Sequence, residues 1–235
     1  MLEIPHMTTR SSTKVAVSHF DVRGAGTVSL GCSLFSLPTP SNDKVVVLFV
    51  HQWGAMGGNG SLMQGMARKM AMKGWVAVTF DHRGVGNSTG TSTYRCHSEV
   101  ADVVAVVEHL TVRMNIERVF LVGSSAGACV AGSALSLHSA IAGCGLIGYP
   151  YGWLASTIFG GHYAALLASE KPKLLVHGEG DGFTSTSQFQ TLMGYLQGPT
   201  NESVLIPSVG HFEMEGPSYD TFMTDHFHTF FTKLL

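Results

Sequence analysis

Two serines of this chain sit in Gly-x-Ser-x-Gly: Ser125, within VFLVGSSAGACV (residues 119–130), and Ser88, within GVGNSTGTS (84–92). A serine hydroxyl attacks a carbonyl only when a neighbouring base takes its proton and an acid fixes the tautomer of that base. The five-residue pattern alone is weak evidence. With 28 glycines in 235 residues, about 0.3 matches arise by chance. What separates the two serines is the chain on either side of each.

A nucleophilic serine of this kind needs a strand that ends abruptly, one residue in a strained turn, and a helix that begins at once. Glycines on either side keep Cβ atoms out of that turn, and the helix start offers N–H groups to a developing oxyanion. RVFLVG (118–123) runs straight into Ser125, and AGACVAGSALSLHSA (126–140) continues as a small-residue helix. Around Ser88 the apolar run VAVTF has already ended at Phe80, and the segment that follows is rich in Gly, Ser and Thr. Ser125 is the expected nucleophile and the second pattern a coincidence.

An acid and a base stand on later loops in the expected order. KLLVHG (173–178) leads into EGDGFTS, which offers Asp181, in a Gly-Asp-Gly turn, and Glu179 as the alternative acid. SVLIPSV (203–209) leads into GHFEMEG, which offers His211. The chain has twelve histidines, so position selects among them. His51, His82 and His177 read as structural, while His226 and His228 fall in the last helical segment. Asp181 and His211 have no partner histidines at ligand spacing, so neither a metal nor any other cofactor is expected.

These residues need a scaffold, and the hydrophobic pattern supplies one. Six short continuous apolar runs, at 45–50, 76–80, 119–123, 141–149, 173–178 and 203–209, have the pattern of strands buried on both faces of a parallel sheet. Segments 61–74, 99–114, 189–197 and 219–235 repeat apolar residues at helical spacing between them. Two N-terminal strands joined by a turn at DVRGAG precede this alternation. The fold class is therefore α/β: a mostly parallel eight-stranded sheet with helices on both faces, in a single domain over 1–235.

A formal charge of −2 without basic runs argues against nucleic acid and anionic membranes as partners. No apolar stretch is long enough for a membrane span. MLEIPHMTTRSS lacks the apolar run of a secretory leader. The four dispersed cysteines read as buried thiols. A cytoplasmic monomer or small homo-oligomer is expected.

With these residues in place, the chain resembles the α/β-hydrolase superfamily, and most closely its small, largely uncapped serine hydrolases related to dienelactone hydrolases and prolyl-oligopeptidase catalytic domains. The likeness is carried by FVHQWGAMGGNG, FDHRGVGNSTG, LVGSSAG, GEGDGFTS and VGHFEMEGP, and it covers nearly the whole chain. It implies a carboxylesterase-like enzyme that forms an acyl-enzyme with a small-molecule acyl substrate. Ser125, Asp181 and His211 would be catalytic, and Ala126 and Trp53, with Gln52 as runner-up, would donate the oxyanion hydrogen bonds. It also assigns Ser88 to a structural loop. Many relatives have His-Gly where this chain has His51-Gln52. Lids of the family follow the sixth strand, where this chain has room for only a minimal cap, about 150–171. Tyr149, Tyr151, Trp153 and Phe159 are the expected rim of the substrate pocket. The same residues are compatible with a ligand-binding receptor on this fold, or with an acyltransferase or peptidase.

Overall fold

The computed structural model describes residues 14–235. The segment read above as lacking a leader lies outside them. In chain order the elements are β1 (Ala16–Arg23), β2 (Ser29–Ser36), β3 (Val45–Val50), α1 (Gln64–Met72), β4 (Val76–Phe80), α2 (His97–Met114), β5 (Arg118–Ser124) and α3 (Ala126–Ala134). There follow β6 (Ile141–Ile147), α4 (Trp153–Phe159), α5 (Tyr163–Ala168), β7 (Lys173–Gly178), α6 (Thr186–Tyr195), β8 (Asn201–Ile206), α7 (His211–Met214) and α8 (Asp220–Thr232). The strands form one sheet in the order β1-β2-β4-β3-β5-β6-β7-β8. β2 is antiparallel to both β1 and β4, and every other pairing is parallel.

All six residues of β3, VVVLFV, are buried, because successive side chains of a strand face opposite sides of the sheet. Val46, Leu48 and Val50 enter one core, shared with Val103, Val106 and Leu110 of α2 and the small residues of α3. Val45, Val47 and Phe49 enter the other, with Met66 and Met70 of α1 and Phe227, Phe230 and Phe231 of α8. Burying side chains of this size contributes about 1.5–3 kcal/mol each. Phe120 and Phe231 stack at 4.4 Å between ring centroids, and the Trp75 indole N–H donates to His228 Nδ1 at 2.9 Å. That bond gives His228 a structural duty.

The loops after β3, β5, β7 and β8 all leave the carboxyl edge of the sheet, where ligands of open α/β sheets bind. The connection between β6 and β7 holds only α4, α5 and the short turn at Gly160–His162. No helix among the described residues is long and apolar enough to cross a membrane.

Candidate active site

Ser125 is the residue between β5 and α3, with φ 53° and ψ −122°. A non-glycine residue at positive φ is strained by roughly 1–3 kcal/mol and must be held there by its surroundings. The Ser125 N–H donates to the Ile147 carbonyl at 2.9 Å, anchoring the turn to β6. The flanking glycines are required by close approach. A Cβ on Gly123 would lie 2.4 Å from the Gly127 carbonyl oxygen, and one on Gly127 would lie 2.2 Å from that of His51. Ala126 opens α3, so its N–H has no partner within the helix.

Two loops bring polar groups to this turn. Asp181 Oδ1 accepts the N–H groups of Phe183 (2.7 Å) and Thr184 (3.1 Å). Its Oδ2 lies 2.6 Å from His211 Nδ1, and His211 Nε2 lies 2.9 Å from Ser125 Oγ. An ionised carboxylate only accepts, so the imidazole proton sits on Nδ1, and Nε2 is free to accept from the serine. Burial by itself would raise the Asp181 carboxyl; the His211 bond and the Phe183 and Thr184 N–H groups outweigh it and hold the group below its usual value. Glu179, the alternative acid, is exposed, with no hydrogen bond to His211 among the described residues.

The loop after β3 is organised by a histidine pair. The His51 Nδ1–H donates to the Gln52 carbonyl at 2.6 Å, and Nε2 accepts the His82 N–H at 2.9 Å. Burial pushes His51 down to about 4, so the ring is neutral near pH 7. Because a trans peptide is planar, the Trp53 N–H points away from the carbonyl that His51 holds. Trp53 and Ala126 both line the cleft in front of Ser125. Gln52 lines an inner recess with His51 and His82.

That cleft encloses about 100 Å³ between Trp53 and Met56 on one side, Leu154, Ile158 and Phe159 of α4 on another, and Phe183 and Phe212 on a third. Of the four aromatic residues expected at the rim, Phe159 lines it and the other three do not. Tyr149 is buried and Tyr151 half-buried, both packed on Tyr163 at 6.0 and 4.9 Å, so these rings bury the cap helices. Trp153 is 78% exposed and does not line the cleft. The i, i+4 pairs Leu154–Ile158 and Ala155–Phe159 lie on the face of α4 that lines the cleft. A wider groove of about 410 Å³, beside β2 and the loop after β4, contains none of Ser125, Asp181 and His211.

Ser88 is fully occupied elsewhere. Its hydroxyl donates to the Asp81 carbonyl at 2.6 Å and accepts the Gly31 N–H at 2.9 Å. The same loop is held down by Arg83, bidentate to Asp102 at 2.7 and 2.6 Å. Ser88→Ala is expected to destabilise the fold by about 1–3 kcal/mol and to leave kcat within twofold of wild type. Urea titration and steady-state kinetics on one preparation check both halves. The four cysteines are free and buried, and burial pushes Cys96 and Cys144 up to about 12, which makes them poor nucleophiles. Among the described residues no three His, Cys, Asp or Glu side chains are grouped as metal ligands.

Residues 41–150 match the family model described as serine aminopeptidase, S33; that span contains Ser125 and ends before Asp181 and His211. No curated protein sequence matches the chain. Among solved structures, an alpha-beta serine hydrolase homologue from Coxiella burnetii is 19% identical over 89% of this chain and 96% of its own, with a TM-score of 0.74. A serine hydrolase without lid from Xanthomonas campestris is 20% identical over 91% and 94%, with a TM-score of 0.73. An esterase from Pyrococcus furiosus is 17% identical over 94% of each chain, with a TM-score of 0.77. By its sheet order and by these likenesses of structure, the chain has the α/β-hydrolase fold in its lidless form, and its residues 41–150, through the turn at Ser125, are similar to the serine aminopeptidase family.

Proposed function

We propose that the protein is a serine esterase that cleaves uncharged esters with a small apolar acyl group, through an acyl-enzyme on Ser125. The observation that carries this reading is the unbroken chain from Ser125 Oγ through His211 to Asp181, opening on an apolar cleft. As Ser125 Oγ bonds to the ester carbon, its proton passes to His211 Nε2, and Asp181 stabilises the imidazolium. The carbonyl oxygen takes up negative charge, for which the Ala126 and Trp53 N–H groups are the donors. Collapse of the tetrahedral intermediate breaks the ester C–O bond, and the leaving alcohol takes the proton from Nε2. Water then repeats the sequence on the acyl-enzyme, and the acid leaves.

The substrate class follows from what lines the cleft. It holds no charged side chain, and therefore no carboxylate to pair with a cation. An α-ammonium would lose its water there without a replacement partner, a loss of several kcal/mol. The esterase from Pyrococcus furiosus is therefore a better guide to the chemistry than the aminopeptidase in the family description. A void of about 150 Å³ holds benzene, so about 100 Å³ accommodates an acyl chain of about four carbons.

On a panel of p-nitrophenyl acetate, butyrate and decanoate with leucine p-nitroanilide, butyrate should give the highest kcat/KM. The free-amino substrate should fall about 10³-fold or more below it. Phe159→Ala should move the optimum toward longer chains, because the ring closes one side of the cleft. A preference for the aminoacyl substrate would overturn the reading. A fluorophosphonate probe should label Ser125 stoichiometrically; absence of labelling would favour a receptor on this fold.

A further inference from the structure

Ser125 has a neighbour with an unassigned partner. The Ser124 hydroxyl, fully buried at the end of β5, donates to Glu215 Oε1 at 2.7 Å. Glu215 follows α7 directly, and α7 is a single turn whose first residue is His211. The base and this carboxylate thus stand at opposite ends of one short helical turn. They meet two consecutive residues of the elbow: His211 reaches Ser125 at 2.9 Å, and Glu215 takes Ser124.

We propose that Glu215 is a positioning residue whose side chain ties the base turn to Ser124, and so sets the reach of His211 to Ser125. The proposal rests on the reading of Ser125 and His211 as nucleophile and base. A four-residue helix has too few internal hydrogen bonds to hold an imidazole by itself. Pinned at both ends to adjacent residues of one rigid turn, it has little freedom to swing. The environment agrees with a purposeful burial. Burial raises the Glu215 carboxyl above its usual range, and the Ser124 hydrogen bond and the His211 ring pull it back, against repulsion from Asp181. Glu213, two residues earlier, only caps α7, through the Gly210 N–H at 3.3 Å.

The test is a double-mutant cycle on Ser124→Ala and Glu215→Ala, with Glu215→Gln beside it. It reads the rate of fluorophosphonate labelling together with kcat and KM on p-nitrophenyl butyrate. Glu215→Ala and Ser124→Ala should each slow labelling and lower kcat about 10- to 30-fold, with KM within twofold, because a small displacement of the base is felt in the chemical step. The double variant should be no slower than the slower single one. Glu215→Gln, which keeps an acceptor for Ser124, should recover to within threefold of wild type. Single losses that multiply in the double variant, or no recovery with glutamine, overturn the proposal. If Glu215→Ala does not fold, Ser124→Ala decides by itself: a tenfold loss at unchanged KM supports the tie, and wild-type labelling refutes it. Wild-type protein that resists the probe would instead refute the esterase reading.

Discussion

Ser125→Ala is expected to lower kcat on p-nitrophenyl butyrate by roughly 10⁴–10⁶, with cleft and fold preserved. The magnitude follows from what the variant keeps. Asp181 still holds His211, Ala126 and Trp53 still line the cleft, and the residual rate is whatever water achieves in that setting. The main chain at this position carries its strain at φ 53° whether the side chain is serine or alanine, so thermal stability should stay close to wild type. Loss of activity then cannot be assigned to unfolding. Kinetics and a melting curve on Ser125→Ala and Ser88→Ala, side by side, check this. Full activity in Ser125→Ala with loss in Ser88→Ala would reverse the assignment of the two serines.

The second large effect is expected from Asp181→Asn, about 10⁴-fold in kcat, for a reason specific to this loop. Asp181 Oδ1 already receives two backbone N–H groups, from Phe183 and Thr184. An asparagine must leave its carbonyl oxygen there or strand both buried donors. Its NH₂ group therefore faces His211 Nδ1, which becomes the acceptor of that bond. The ring proton moves to Nε2, and the nitrogen that should take the Ser125 proton already carries one. Geometry stays almost intact while the tautomer is wrong. The check is kcat/KM for Asp181→Asn against wild type, with retained secondary structure by circular dichroism. Activity within tenfold of wild type would mean that Asp181 has no part in orienting the base.

Each prediction draws on a different depth of legibility. The strands β3 to β8 were readable because a strand covered on both faces has no reason to alternate, and runs such as VVVLFV and VFLVG say so directly. The turn at Ser125 was readable because its constraints are local: Gly123 and Gly127 are needed by backbone atoms a few residues away or on the adjoining strand. Asp181 and His211 stand just past the ends of β7 and β8, where the chain order puts them, and the fold brings the two within hydrogen-bond reach. The Ser88 pattern, with the same letters, was separable by its distance from a strand end, and its hydroxyl is indeed consumed by Asp81 and Gly31.

The lining of the cleft was not readable in the same way. Tyr149, Tyr151 and Trp153 were natural choices by size, yet which face of a cap segment turns inward depends on how α4 and α5 dock. Here Tyr163 takes the first two rings and Trp153 faces solvent. Nor does any spacing announce that Glu215 meets Ser124, since residues 91 positions apart become neighbours only when β5 and the loop after β8 reach the same edge of the sheet. The linear chain thus determined the sheet, the strained turn and the order of its polar residues, because those rest on periodicity and on contacts within a few residues. Only the tertiary structure decided which rings enclose the cleft and which carboxylate holds the base turn, because both depend on the direction in which side chains leave separate elements once these have packed.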